Sequence, residues 1–248
     1  MVKFALASMK YHRRTTIIYI SLLFISFCLL LFVNSLRESL PFIEKHIEEL
    51  LAISSYQEEK QALLRQIQAS SRMLQQHYDR IYFILLPLLA GGLLLFFALL
   101  QVKKRNELFA WHQSGSSLVS WVRLNLTECL LPLLLLCLVF ILLVLLLQNL
   151  LGNLILNIHI KAFDHFHSDN LATQSLTLPL NRLLVRLPTN NYALAAAAQL
   201  TSREWLRILF TALRQTAYTF FLLISLSGFI IFSNFSYWGY RHWNNSST

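Results

Sequence analysis

Four long runs of apolar residues dominate the hydrophobic pattern of the chain. They cover residues 16–33, 81–102, 129–151 and 216–232, and none of them contains Lys, Arg, Asp or Glu. A helix needs roughly 20 apolar residues to cross about 30 Å of hydrocarbon. The pattern therefore predicts an all-α integral membrane protein with four transmembrane helices, TM1 to TM4 in chain order.

The segment between TM1 and TM2, residues 34–80, has the three- and four-residue apolar spacing of two amphipathic helices. One stripe consists of Phe42 or Ile43, Ile47, Leu50 and Leu51, and the other of Leu63 or Leu64, Ile67, Leu74 and Tyr78. A turn near residues 53–56 would fold the stripes together as in a short coiled coil. The prediction is a helical hairpin that is continuous with the spans and whose charged residues form either a solvated face or a surface that binds a partner.

A short charged segment, KKRNELFAWHQSGSS, separates TM2 from TM3. NELFAWHQ predicts a helix that ends at Ser114 and Gly115, because glycine permits the positive φ of a helix C-terminal cap. Ser116 or Ser117 would begin the next helix. We call residues 103–128 the elbow. Its candidate binding surface consists of Glu107, Phe109, Trp111 and His112, although a Trp also favours the headgroup region without any partner.

The connection after TM3, residues 152–215, has a mixed pattern. NIHIKAFDHFH partly alternates like a strand, Pro179 and Pro188 interrupt the middle, and SREWLRILFTALRQ predicts an amphipathic helix at the membrane interface. Its other side carries three arginines, at positions 203, 207 and 214, and its apolar side contains Trp205, Leu206, Leu209, Phe210 and Leu213.

Histidine and aspartate cluster at the start of this connection. Imidazole and carboxylate groups can bind zinc or copper. Their spacing here matches no established ligand pattern, so a polar loop near the membrane is favoured and no metal is expected. The residues concerned are His159, Asp164, His165, His167 and Asp169.

Composition agrees with a membrane protein. Hydrophobic residues make up 56% of the 248 residues and charged residues only 13%, which excludes a soluble domain. The three cysteines, Cys28, Cys129 and Cys137, lie in or beside spans, so no disulfide framework is expected. No cleavage site follows the first apolar run, which is therefore predicted to be retained.

The cations beside the spans predict the orientation. Four precede TM1, and four lie between TM2 and TM3, so both segments should be cytoplasmic. The net charge of +9 then reflects orientation, and no nucleic acid partner is expected. The predicted order is a cytoplasmic amphipathic helix (1–15), TM1 (16–33), an extracytoplasmic helical hairpin (34–80), TM2 (81–102), the cytoplasmic elbow (103–128), TM3 (129–151), an extracytoplasmic connection (152–215), TM4 (216–232) and a cytoplasmic tail (233–248).

No catalytic machinery is visible in the sequence. The G-x-x-x-x-G-K-[ST] phosphate loop is missing, and no spacing links a serine to a histidine base. The chain is therefore not expected to be an enzyme or to hold a cofactor.

Two stretches, KFALASMKYHRRTTIIYI and KKRNELFAWHQSGSSLVSWVRLNLTE, followed by an apolar span after Glu128, resemble the FtsX-like and MacB-like (type VII) permeases of ABC transporters. The resemblance implies a bacterial cell-membrane protein with both termini in the cytoplasm. A separate ATPase would bind ATP and Mg²⁺ and would contact the elbow, with Arg105, Glu107, Trp111, Gly115 and Ser116 in the coupling region.

The implied function is mechanotransmission. ATP hydrolysis in the partner would drive extracytoplasmic work, such as removal of an amphipathic peptide, lipid or antibiotic, and the permease would pair with an identical or related chain in the lipid membrane. A non-transport scaffold or sensor remains the alternative: an FtsX-like regulator of a cell-wall enzyme whose hairpin binds an extracytoplasmic protein or peptide.

Overall fold

The computed structural model describes residues 2–52, 57–166, 175–180, 183–188 and 200–246. Six α-helices lie in this part of the chain: α1 (Val2–Tyr11), α2 (Arg13–Ala52), α3 (Gln57–Lys103), α4 (Arg105–Gln113), α5 (Leu118–Phe166) and α6 (Ser202–Ser246). Two short strands, β1 (Ser175–Leu180) and β2 (Leu183–Pro188), pair in an antiparallel hairpin.

The prediction of four spans is confirmed. Four helices are long and apolar enough to cross a membrane, with candidate spans over Arg13–Glu49, Gln68–Lys103, Val119–Ala162 and Ser202–Asn234. Many of their large apolar side chains are exposed, and Leu146 reaches 82%. Water would make such extended apolar surface unfavourable, which agrees with a multi-pass membrane protein.

The long helices continue past the predicted ends of the spans. α2, α3 and α5 run for 40, 47 and 49 residues, and each contains one proline without a break in the helix. The predicted boundaries at residues 33, 80 and 128 therefore fall inside helices. The predicted turn near residues 53–56 lies outside the described residues.

The predicted connection after TM3 differs from expectation in two places. The stretch NIHIKAFDHF, which was predicted to alternate partly like a strand, is helical and forms the end of α5. Ile155, His159 and Ile160 are buried in this part of the helix. The all-helical prediction is confirmed for the six helices. The connection also contains β1 and β2, two short strands that the sequence did not predict and in which Leu176 pairs with Leu187. The sequence reading treated Pro179 and Pro188 as interruptions, but every strand of a two-stranded sheet has a free edge where proline is tolerated.

The chain divides into two compact units. The first contains Met1–Leu30, Ile84–Phe140 and Gln215–Thr248. Aromatic rings fill part of its interior: Phe27 stacks on Phe140 and Phe220, with ring centroids 4.6 and 5.4 Å apart. Such contacts add to the ordinary packing of apolar side chains.

The second unit contains Leu31–Phe83 and Ile141–Arg214. Its core includes Ile43, Ile47, Leu74 and Tyr78, which are four of the residues assigned above to the two apolar stripes. Polar contacts join the same parts of α2 and α3: Arg37 Nε donates to Asp79 Oδ1 at 2.6 Å, Ser71 Oγ to Glu44 Oε2 at 3.0 Å, and Gln68 Nε2 to Glu48 Oε1 at 3.1 Å.

A glycine allows close packing between α5 and α6 in this unit. A Cβ atom at Gly152 would lie 2.8 Å from Cδ2 of Trp205, whose side chain is buried. Neither the helix backbone nor the indole ring can move aside without disturbing other contacts. Gly152 is therefore a packing requirement of this helix pair.

We expect Gly152→Ala to lower the thermal stability of the purified protein, because overpacking costs about 1–3 kcal/mol. Gly91→Ala is the matched control, since Gly91 is also helical and has no atom within 4 Å of an added Cβ. Alanine there should be neutral or stabilising, given its higher helix propensity. Equal melting temperatures for the two variants would contradict this packing account.

Candidate functional site

The buried ammonium group of Lys104 joins four helical segments of the first unit. Lys104 lies between α3 and α4, and its side chain is 3% exposed. Its Nζ donates to Ser8 Oγ of α1 at 3.4 Å and to Asn125 Oδ1 of α5 at 3.3 Å, and it pairs with Glu128 of α5. A lysine has three N–H donors, and all three have a partner here.

The ion pair depends on both members staying charged and in contact. Asn125 is fixed in turn, because its Nδ2 donates to the Trp121 carbonyl at 2.9 Å. Oε1 of Glu128 is buried without a hydrogen-bond partner among the described residues. Lys104 therefore supplies the main compensation for the Glu128 charge, and removal of either member would leave an uncompensated buried ion.

Two further contacts attach the beginning of the chain to the elbow. His12, between α1 and α2, pairs with Glu107 of α4. Lys103 Nζ donates to Thr15 Oγ1 at 2.6 Å. α1, the start of α2 and the elbow are thus held together by polar contacts as well as by packing.

The turn of the elbow has the geometry that the sequence predicts. Gly115 has a φ of +76°, and the Ser116 amide donates to the Trp111 carbonyl at 3.4 Å. This pairing is the six-to-one hydrogen bond of a Schellman cap. Ser117 Oγ accepts from the Ser120 amide at 3.3 Å, which caps the start of α5.

The side chains predicted to form an exposed binding surface are partly buried instead. Glu107 faces His12, the Arg105 guanidinium lies 5.6 Å from the centre of the Phe109 ring, and the Trp111 and Trp121 rings are 6.0 Å apart. Phe109 and Trp111 are therefore shielded by their neighbours. Nothing is described for the His112 side chain.

Between Arg105 and Gly115, the exposed residues of the elbow are mainly polar. Ser116 is partly exposed, and Gly115 is exposed. We define the elbow surface as the exposed residues Arg105, Asn106, Ala110, Gln113, Ser114 and Gly115. One cation, two amides and a hydroxyl make this a surface suited to polar recognition.

A second buried polar cluster lies in the core of the second unit. His159 Nε2 is 2.7 Å from Ser39 Oγ, and His159 Nδ1 is 3.1 Å from the Tyr78 hydroxyl. Ser39 and His159 have no exposed area, and Tyr78 is 5% exposed. A serine beside a histidine raises the question of a nucleophile and its base.

The hydrogen-bond pattern argues for a structural role. One arrangement satisfies all of these groups at once: Ser39 Oγ donates to the Leu36 carbonyl at 3.0 Å and accepts from Nε2–H of His159, while Nδ1 accepts from the Tyr78 hydroxyl. In this arrangement Nε2 already carries a proton and cannot remove one from Ser39. The cluster satisfies three buried polar groups and leaves Ser39 without an activating base.

The same contacts bear on the histidine and aspartate cluster considered for metal binding. Both ring nitrogens of His159 are occupied by side chains from α2 and α3. The side chains of Asp164 and His165 are not described, and His167 and Asp169 lie outside the described residues. Within the described part of the chain, no group of three or more His, Cys, Asp or Glu could hold a metal ion.

A groove of about 810 Å³ runs between α2 and α6 in the second unit. Arg203, Arg207 and Arg214 lie along it, together with Lys45 and the partly apolar surface of Phe42, Leu206 and Phe210. The sequence predicted the exposed arginine side of this helix correctly. It did not indicate that α2 supplies the opposite side of a groove.

No protein-family model, curated protein or solved structure matches the chain. The resemblance to ABC permeases therefore stays a prediction, and the argument about function depends on the geometry described above.

Sequence reasoning missed the two buried polar clusters. It treated Lys104 only as a cation that orients the chain, and it placed His159 in a polar loop for which metal binding was the disfavoured alternative. A detectable signal existed for Lys104, since it stands two residues after the end of an uncharged apolar run and Glu128 stands directly before the next one. For His159 the only signal was helical spacing from Ile155, which the strand-like alternation obscured.

We expect Lys104→Met to destabilise the purified protein by about 3–5 kcal/mol, because Glu128 would stay buried without its cation. The double variant Lys104→Met/Glu128→Leu should recover most of that loss, because no buried charge is left. Thermal unfolding in neutral detergent measures the three stabilities. The wild type should be the most stable, the double variant second and the single variant the least stable. A double variant no more stable than Lys104→Met would contradict the role assigned to the pair.

Proposed function

We propose that this chain is the permease subunit of an ABC transporter of the FtsX-like and MacB-like type. It would lie in the bacterial cell membrane with both termini in the cytoplasm, and a separate ATPase would hold ATP and Mg²⁺. The four apolar helices and the resemblance of the elbow support this proposal. Because the sequence contains no phosphate loop, the ATP hydrolysis of this proposal would occur in a partner chain.

The observation that carries the proposal is the attachment of the elbow at Lys104. This residue follows the last residue of α3, which is one helix from Gln57 to Lys103, and its ammonium group binds α1 and α5. A flexible loop at this point would absorb a displacement. A junction fixed by three polar contacts would pass the displacement to the ends of α3 and α5.

The elbow surface is where the ATPase would bind. Arg105 offers a planar cation for a carboxylate of the partner, and the neighbouring amides offer further hydrogen bonds. Phe109 and Trp111 would then support this surface from within. Because Phe109 and Trp111 are partly buried, the contact residues proposed for the ATPase differ from those that the sequence suggested.

The second unit would perform the outer work. Continuous helices α2 and α3 would link the membrane spans to the packed segment around Leu40 and Leu74, which would lie outside the membrane. Closure of two ATPase subunits around ATP would move two permease chains, identical or related, and would change the arrangement of their outer segments. The states would be coupled in both directions.

We expect a P-loop ATPase to co-purify with the protein from its native membrane, and Arg105→Glu to reduce its recovery at least about tenfold, since a like charge would face the partner carboxylate. Arg72→Glu is the matched control, because Arg72 is also an exposed helical arginine. It should retain the ATPase.

Loss of the ATPase with both variants would indicate a general effect of charge reversal. If no ATPase accompanies the wild-type protein and Arg105→Glu retains full function in cells, the permease proposal is wrong. The scaffold or sensor would then be the better explanation.

The proposed orientation predicts different labelling of two exposed positions. In intact cells, an impermeant thiol reagent should label Ala69→Cys, and Ser114→Cys should react only after the membrane is opened. The unsubstituted chain, with its three native cysteines, provides the background. The opposite pattern would show that the elbow faces outward and cannot meet a cytoplasmic ATPase.

A further inference from the structure

The groove between α2 and α6 has the features of a ligand site. Two helix faces with three- and four-residue spacing line it, one from Phe42 to Glu49 and one from Arg203 to Arg214. Phe42 and Phe210 pack against the core of the second unit. The floor of the groove is thus part of the folded core, whereas its rim is charged.

The groove carries excess positive charge. Its lining contains four cations, Lys45 and the three arginines, and two carboxylates, Glu49 and Glu204. The lining therefore has a net charge of +2 when His46 is neutral. Both carboxylates already have partners. Glu49 lies 3.7 Å from Lys45 and 3.8 Å from His46, and Glu204 Oε2 accepts from the Thr201 amide at 2.7 Å and from its hydroxyl at 2.8 Å.

The arginines have no carboxylate partner within 4.0 Å among the described residues. Arg207 lies 5.8 Å from the centre of the Phe42 ring, which orients its guanidinium group over an aromatic face. A guanidinium fork matches the oxygens of a phosphate group. The chemistry at the rim therefore favours a phosphate, and the aromatic surface beside it favours an attached apolar group.

The position of the arginines in the sequence indicates where such a ligand comes from. Arg214 stands two residues before the uncharged apolar run that begins at residue 216. Cations at the end of a span lie at the level of lipid headgroups. The most accessible amphiphilic phosphate at that level is a phospholipid.

We propose that this groove binds the headgroup of an anionic phospholipid. Arg207 and Arg214 bind phosphate oxygens, Arg203 strengthens the positive field, and Phe42, Leu206 and Phe210 contact the glycerol backbone and the first acyl carbons. A cationic amphipathic peptide would be repelled by the same charges. The proposal holds whether or not an ATPase binds the elbow.

The test uses the full chain purified in neutral detergent. Native mass spectrometry compares retention of short-chain phosphatidylglycerol and phosphatidylcholine at equal concentration. We expect phosphatidylglycerol to be retained at least about tenfold more by the wild-type protein, the equivalent of about 1.4 kcal/mol. Arg207→Gln/Arg214→Gln should reduce this preference to near one, because the phosphate contacts are lost.

Arg65→Gln/Arg72→Gln is the matched control, since both residues are exposed arginines of α3 outside the groove. It removes the same charge and should keep the preference. If the groove variant unfolds, Arg207→Lys/Arg214→Lys decides the question. Lysine keeps the charge and loses the fork, so a preference reduced several-fold supports the proposal, and an unchanged one overturns it.

Competition distinguishes the source of the phosphate. Inorganic phosphate at millimolar concentration should displace little phosphatidylglycerol, because it lacks the apolar contacts. Full displacement at that concentration would indicate a free-phosphate site and overturn the lipid proposal. Equal retention of the two lipids by the wild-type protein, or binding of a cationic amphipathic peptide through the same arginines, would also overturn it.

Discussion

The buried Lys104 ammonium group is the interaction on which the arrangement of the elbow depends. It binds side chains of α1 and α5 from the junction of α3 and α4, so four helical segments meet at one charge. Apolar packing alone specifies such a meeting poorly, because many apolar side chains can exchange places at small cost. A buried ion pair has few satisfactory geometries and therefore selects one register.

Each unit contains one buried polar cluster whose partners come from helices distant in sequence. Ser8, Asn125 and Glu128 surround Lys104, and Ser39 and Tyr78 contact His159. The cations without carboxylate partners discussed here are instead exposed, Arg105 on the elbow surface and the arginines on the rim of the groove. Polar groups that stabilise the fold and polar groups available for binding are thus different residues.

Local features were predictable from sequence, and contacts across the chain were not. The spans follow from long uncharged runs, the turn follows from Gly115, and the arginine side of α6 follows from helical spacing. The pairing of Lys104 with Glu128, and the place of His159 between Ser39 and Tyr78, depend on how separate helices pack. The strands were missed because their prolines suggested interruptions, and the last part of α5 was missed because NIHIKAFDHFH partly alternates like a strand.

Nucleotide-dependent labelling of the outer segment tests the central claim most directly. A thiol reagent is applied to Met73→Cys, a highly exposed position of α3, in proteoliposomes that contain the protein with its co-purified ATPase. Transmission predicts that the labelling rate changes severalfold between ADP and hydrolysing ATP, and that Lys104→Met abolishes the change. Identical rates in both nucleotide states, with the ATPase bound and active, would contradict mechanical coupling through the elbow.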